Sequence, residues 1–423
     1  MASTGSNSSV QEPDVATGRA DIVVALSSYN DARTIGSVAQ AVKDGLSRYF
    51  DSRDVRLLLA DSGSTDGTRE AAREIIGADS LLDVKYESGT DLDELPYHGH
   101  PGRAAALRAV LETAQRVGAR ACAVVDAAVQ TINPQWMEQL IGPVVAGEAD
   151  YVSPYYLRHV NEGAITKSIV YPLFRALYGV RLRQPAAGEF GCSGKLMAYY
   201  LEQDFWEAEH ASVGIDLWLA IAAVCGDFRV CEAALGVRSV APRGPSLDLS
   251  TTIAQVVGAL FAELEHRADV WQRVRGSRPV PLLGTVADAG ADTSPFDVEG
   301  LIGSFRLGYR ELREVWTFVM PPRTIVELRK MTEMSADRFS FDDHLWATII
   351  YDFALGYSFR VLPREHLLRS LTPLYSGWLA SFVLEMQTAT LEQIEARVGR
   401  LCMAFEDERR YLISRWRWPE RLR

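Results

Sequence analysis

From Ala20 onward the chain alternates short apolar runs with segments in helical spacing. ADIVVALSS is continuously apolar until it ends in small polar residues, the pattern of a strand buried on both faces and followed by a polar loop. DARTIGSVAQAVKDGLSRYF comes next, with Ile35, Val38, Val42, Leu46 and Phe50 on one helical face. VRLLLADSGSTDGT predicts a second strand and turn, TREAAREIIGA a short helix, and LLDVKYES a third strand. GRAAALRAVLETAQRVG predicts a helix, ACAVVDAAVQTI a fourth strand, and PQWMEQLIGPVVAG a helix with Pro134 near its start. Strands alternating with helices of about 10–15 residues predict βαβ units and a parallel, doubly wound sheet covered on both faces. Ligands of such sheets sit at the C-terminal strand ends. SSYND, DSGSTDGT and DAAVQT all fall there.

Beyond residue 150 the pattern is less regular, with strand-like and helix-like pieces punctuated by glycine. GSRPVPLLGTVADAGADTSPFD, rich in Pro, Gly and Ala, reads as a linker or long loop over 276–298. The aromatic-rich amphipathic stretches after it carry few strand signals and predict a helical region over 299–423. The first 19 residues, rich in Ser, Thr, Gly and Asn, predict a flexible tail. They have neither the basic start nor the apolar stretch of a signal peptide. No internal repeat is evident.

With 423 residues the chain exceeds one ordinary domain. A composition of 48% hydrophobic and 23% charged residues excludes disorder as the dominant state. The net charge of -11 disfavours a sequence-independent grip on nucleic acid or on anionic lipid. No stretch reaches the roughly 18 consecutive apolar residues of a membrane span. Five scattered cysteines without a C-x-x-C argue against a disulfide scaffold or a structural zinc site. The expected location is cytoplasmic, with no nucleic-acid or membrane partner.

Six constellations carry candidate chemistry. Asp61, at the end of a buried strand, either accepts hydrogen bonds from a nucleobase or ribose or makes an Asx turn capping the next helix. Ser62, Gly63, Ser64 and Gly67 supply backbone N–H groups beside it. Gly102–Arg103, just before a helix, can hold a diphosphate, or is an ordinary loop–helix junction. His98 and His100, two apart in a loop, are expected to be solvated rather than to bind a metal. Asp126 ends an apolar strand. As a lone carboxylate it makes a poor divalent-metal site and fits a ribose or sugar hydroxyl, or a cap. Gly188, Gly191 and Gly194 surround Glu189 and mark backbone that approaches something closely, or a tight turn. Asp216 precedes an apolar stretch and either caps a helix or orients an acceptor. Arg158, with Thr166 and Lys167, can hold a carboxylate.

Together these segments resemble the retaining GT-A glycosyltransferases that make mannosylglycerate, glucosylglycerate or glucosyl-3-phosphoglycerate. The resemblance runs over Ser27–Asp31, Asp61–Gly67, Gly102–Arg103, Asp126, Arg158, Gln184–Gly194 and Gly214–Asp216, within residues 20–275. SSYN and DSGSTDGT are common to many GT-A enzymes. QPAAGEFGCSG and GID are more specific to the mannosylglycerate/glucosylglycerate synthase group. The resemblance implies an α/β fold: a GT-A (Rossmann-like) mixed sheet flanked by helices, with a mainly helical C-terminal region. Residues 20–150 would be the nucleotide-sugar half and 151–275 the acceptor half. It implies a GDP- or UDP-linked sugar donor, held by Ser27, Tyr29, Asn30, Asp31, Asp61, Ser62, Gly63, Gly102, Arg103, Asp126 and Gly188. Asp61 would lie near the base and Arg103 near the diphosphate. Glu189 and Asp216 are the implied catalytic residues, with Glu189 on the donor sugar. Arg158, Thr166 and Asp216 would face a small polar acceptor. The anomeric configuration would be retained by front-face attack.

The chain departs from that group in two places. Asp-x-Asp is expected at 126–128, and the residues are Asp126, Ala127 and Ala128. A histidine ligand is expected near 238–242, and RSVAPR contains none. The expectation is therefore an enzyme with no metal ligands and no required cofactor, in which Arg103, Arg238 or Arg243 neutralises the diphosphate. Two alternatives stay open. One is a specialised-metabolite S-glycosyltransferase, of the type that joins a GDP-activated octose to ergothioneine in lincosamide antibiotic assembly. The other is a catalytically inactive sugar-nucleotide-binding module. A nucleotidyltransferase would want a Gly-rich, basic loop after the first strand, which SSYND does not provide. Self-associating relatives and aromatics near the C-terminus, Trp416 and Trp418 among them, make a homodimer the expected assembly.

Overall fold

A computed structural model of the chain describes residues 18–77, 81–83, 96–157, 163–207, 211–243, 247–285 and 297–416. The expected tail lies almost wholly outside them, as do Arg158, Trp418 and most of the segment read as a third strand.

The strands are β1 (Ile22–Ser28), β2 (Val55–Asp61), β3 (Leu81–Asp83), β4 (Ala121–Asp126) and β5 (Tyr151–Leu157). They continue with β6 (Val180–Arg181), β7 (Phe190–Ser193), β8 (Val230–Val237), β9 (Arg278–Pro279) and β10 (Leu282–Leu283). Among the described residues, eight form one sheet in the order β10-β8-β5-β7-β4-β1-β2-β3, and β6 pairs with β9. β1, β2, β3 and β4 are parallel, as the alternation predicts. β7 is antiparallel to both β4 and β5, so the sheet is mixed rather than purely parallel. An apolar run such as FGCS carries no information on strand direction. Glycine makes the insertion possible: a Cβ on Gly191 would stand 2.1 Å from the Leu140 carbonyl oxygen, and one on Gly194 2.8 Å from that of Ala119. The close approach foreseen for these glycines is thus an approach to neighbouring backbone. Within 276–298, Leu282–Leu283 extends the sheet at β8.

The two-residue period of a strand sorts β1 cleanly. Ile22, Val24 and Leu26 join the core shared with helices Ile35–Phe50 and Gln135–Val145. Val23 and Ala25 join the core shared with helices Arg103–Arg116 and Ala211–Cys225. That second core continues into the C-terminal helices, so the helical region packs on one face of the sheet. The Trp346 indole N–H donates to the Ser168 carbonyl at 3.0 Å, and Arg175 pairs with Glu406 at 2.7 Å. Asp342 starts helix Asp343–Phe359 by accepting from the Leu345 N–H at 2.8 Å, satisfying an otherwise orphaned donor.

Trp416 is not an exposed aromatic. It packs edge-on against Trp271, with ring centroids 5.1 Å apart, because the last helix folds back over that indole. It therefore lends no support to self-association. Among the described residues no helix is long and apolar enough to cross a membrane.

Candidate functional site

Strand register builds the site's floor. Ser27 of β1 stands beside Ala60 of β2 and Asp126 of β4, and Ser28 beside Asp61, so three polar loops leave one sheet edge together. The Asp61 carboxylate accepts from the Ser28 hydroxyl at 2.8 Å, from the N–H groups of Gly63 and Ser64 at 3.2 and 3.0 Å, and from the Ser64 hydroxyl at 2.5 Å. These bonds are those of an Asx-type turn. Asn30 adopts a left-handed φ of 55°, a conformation Asn tolerates better than most residues. Its N–H donates to Ser64 Oγ and its side-chain carbonyl accepts from the Thr65 N–H, tying the first loop to the second. The Tyr29 N–H donates to Asp31.

His100 is fully buried, contrary to the expectation of a solvated ring. Its Nε2 lies 2.9 Å from Ser27 Oγ and its Nδ1 3.3 Å from Ser62 Oγ, so the imidazole bridges the first two loops. Burial, then the nearby charges of Arg103, Arg243 and His98, push its pKa well below the usual histidine value and so favour the neutral ring.

Above this floor, three guanidiniums interleave with four carboxylates. Arg103, only 1% exposed, donates from Nε to both oxygens of Asp216 at 2.9–3.0 Å and from Nη2 to Oδ1 at 2.8 Å. It also bonds Ser27 Oγ at 3.2 Å and the Gly188 carbonyl. Arg238 donates to Glu189 at 3.0–3.3 Å and to Asp126 at 3.5 Å, and lies over the Tyr156 ring. The Tyr156 hydroxyl completes Glu189 at 2.8 Å. Arg243 donates to Asp31 at 2.7 and 2.8 Å and to both oxygens of Asp126. Burial works to raise the Asp126 pKa, but the guanidiniums of Arg243 and Arg238 outweigh it and hold that carboxyl far below the usual range. Asp31 goes the other way. Burial outweighs its single arginine, and the charge on Asp126 adds to the rise.

These groups border a cavity of about 620 Å³, a volume suited to a small-molecule ligand. Arg103, Asp126, Gly188, Asp216, Arg238 and Arg243 line it, and so does Thr166. Ser27, Tyr29, Asn30, Asp31, Asp61, Ser62, Gly63, Gly102 and Glu189 are not among its lining residues. Of these, Ser27, Asp31 and Glu189 bond Arg103, Arg243 and Arg238 and so stand directly behind the cavity wall. Asp216 does not cap its helix. It lies within Ala211–Cys225, where its carboxylate meets Arg103. Thr166 opens a π-helical segment, Thr166–Val170, a backbone form frequent at functional sites. Tyr156 is a further residue of the site, and its hydroxyl serves a residue 33 positions away. Nothing in SPYYL marks that pairing.

A divalent ion at the end of β4 would need several oxygen ligands. The Asp126 carboxylate already accepts from the Ala128 N–H at 3.0 Å, twice from Arg243 and once from Arg238. Those four donors match the roughly four acceptor positions of a carboxylate. Ala128 brings no side-chain oxygen, and among the described residues no group of three or more His, Cys, Asp or Glu side chains is arranged to hold a metal. The described residues at the end of β4 do not fit a divalent ion.

The fold and site thus define a mixed α/β sheet with an arginine–carboxylate cleft at its parallel strand ends. No protein-family model matches the chain, and no curated protein matches it. Among solved structures it is similar to glucosyl-3-phosphoglycerate synthase from Mycobacterium tuberculosis in complex with Mn2+, uridine diphosphate and glucosyl-3-phosphoglycerate. The identity is 24% and the TM-score 0.43, covering 58% of this chain and 79% of that one. The same enzyme with Mn2+, UDP-glucose and phosphoglyceric acid is similar at 23% identity and a TM-score of 0.41, covering 59% and 80%.

Proposed function

We propose that this chain is a retaining GT-A-type glycosyltransferase that moves a sugar from a GDP- or UDP-linked donor to a small acceptor, with arginines in place of a divalent ion at the leaving diphosphate. The observation that carries this reading is Asp126, held at the cavity edge by Arg238 and Arg243. Departure of the diphosphate concentrates negative charge, and preorganised guanidinium N–H groups offset it without reorganising at the moment of reaction. Arg238 is best placed to turn toward the donor: its side chain is 18% exposed, against 5% for Arg243 and 1% for Arg103. Glu189 and Tyr156 hold it in position, and Asp216 does the same for Arg103. The cluster has one more carboxylate than guanidinium, so an entering diphosphate takes a guanidinium N–H from a carboxylate rather than adding to free positive charge. On this reading Asp61 belongs to the donor loops, and Thr166 faces the acceptor.

The test is incubation with GDP- and UDP-sugars in EDTA, following release of the nucleoside diphosphate and the anomeric configuration of the product by NMR. Full release in EDTA with a retained anomer is expected. Strict dependence on Mg2+ or Mn2+ rejects the arginine assignment. No release from any donor, with or without metal, favours a catalytically inactive module.

A further inference from the structure

The cavity has two unlike walls. One is the arginine–carboxylate cluster. The other is formed where the π-helical segment Thr166–Val170, helix Leu249–His266 and helix Thr372–Met386 come together. It presents Ile165, Val170, Val256 and Tyr375 to the cavity. Val170 and Tyr375 belong to the apolar core, and Ile165 and Val256 pack against it. This wall is therefore an opening of the hydrophobic core onto the cavity.

Tyr375 gives the wall direction. It is only 2% exposed and it lines the cavity. A tyrosine combines an apolar ring with one polar tip, and a tip that borders a cavity is open to a ligand's hydrogen-bonding group. Tyr375 is left as a polar point at the end of an apolar surface.

We infer that this wall is an acceptor subsite for a molecule with an apolar, ring-sized body and a hydrogen-bonding group at its far end that meets the Tyr375 hydroxyl. The inference rests on the glycosyltransferase reading, which assigns the charged wall to the donor's diphosphate. The C-terminal helical region then sets acceptor specificity through Tyr375, and a compact, wholly polar acceptor leaves the apolar wall wet.

The experiment titrates the full-length protein, saturated with UDP or GDP, with two compounds that share a 2-hydroxycarboxylate head: D-glycerate and 4-hydroxyphenyllactate. Burying the ring is expected to tighten binding on the order of tenfold or more. Tyr375→Phe is expected to weaken 4-hydroxyphenyllactate about two- to tenfold, the loss of one neutral hydrogen bond. D-glycerate and nucleotide affinity should stay within about twofold by the same reasoning. Val256→Trp, which fills the subsite, should abolish the preference for the ring, with its melting temperature confirming a folded protein. Equal or tighter binding of D-glycerate, or a Tyr375→Phe variant that binds 4-hydroxyphenyllactate as the parent does, overturns the inference while nucleotide binding leaves the glycosyltransferase reading standing. Failure of the parent protein to bind either nucleotide overturns both.

Discussion

Arg243 donates to both oxygens of Asp126 from a position 117 residues further along the chain. The same guanidinium reaches Asp31 at 2.7 Å, so one side chain joins the loop after β1, the end of β4 and the segment after β8. Two buried carboxylates therefore depend on one cation for much of their compensation.

Arg243→Ala should accordingly destabilise the fold by about 3–5 kcal/mol, the usual cost of leaving buried charge unpaired. Arg243→Lys should restore part of that, because it returns the charge without the two-pronged geometry. Arg238→Ala should be milder for stability, given its greater exposure, and should mainly weaken binding of the nucleoside diphosphate. Thermal denaturation alongside calorimetric titration with UDP and GDP separates the two effects. Equal loss of stability in both alanine variants would contradict the division of labour.

Asp61 organises the turn at residues 61–64 through charge-assisted hydrogen bonds. Each such bond is worth about 1.5–3 kcal/mol. Asp61→Ala should weaken nucleotide binding on the order of tenfold to a hundredfold if that turn holds the base. Unchanged affinity in a folded variant would place the base elsewhere.

His100 links acid sensitivity to the donor loops. Folded, its pKa lies well below the ordinary value of 6.5; unfolded, the ring takes up a proton once the pH falls below that value. Its contribution to stability is therefore complete above pH 6.5 and is lost as the pH falls. His100→Gln should lower the melting temperature near neutral pH and flatten its fall on acidification. An NMR titration of the parent should show this imidazole protonating at a lower pH than the ordinary value of 6.5. A ring that titrates at or above that value would refute the prediction.

Asp352, in helix Asp343–Phe359, has the opposite sign. Burial pushes its carboxyl up to about 6, against the Tyr411 hydroxyl at 2.6 Å, Arg415 at 3.3 Å and the charge of Arg323. Its Oδ2 has no hydrogen-bond partner among the described residues. The folded state holds this proton more tightly than the unfolded chain, so the group stabilises most below pH 3.8. That contribution declines as pH rises and levels off above about 6. The difference is ~3 kcal/mol in order of magnitude. Asp352→Asn should raise the melting temperature at pH above 6 and remove the dependence over this window. A melting temperature that falls at those pH values would show that the charged form is well compensated.

Sequence and structure agree most closely where the signal is local. The alternation of apolar runs and helical spacing places β1, β2 and β4 and the helices between them, because burial on two faces demands continuous apolar strands. The same alternation puts Ser27, Asp61 and Asp126 at one edge, since successive parallel strands end on the same side. The direction of β7 was not legible, because a four-residue apolar strand looks alike either way round. Nor was the burial of His100, which depends on two serines from different strand ends converging on one ring.

The three arginines could be named from the sequence as the available cations once Ala128 and the missing histidine were noticed. Their partners could not. Arg103 faces Asp216 across 113 positions and Arg238 faces Glu189 across 49, and neither distance leaves a trace in spacing. Tyr375 is the extreme case: a core-like aromatic in an apolar helix, indistinguishable along the chain from its neighbours. By itself the amino-acid sequence determined the elements and the chemical types available at their ends, since periodicity and side-chain character are properties of neighbouring residues. Only the tertiary structure decided which charges neutralise one another and which side chains border the cavity, because burial and ion pairing depend on contacts between segments far apart in the chain.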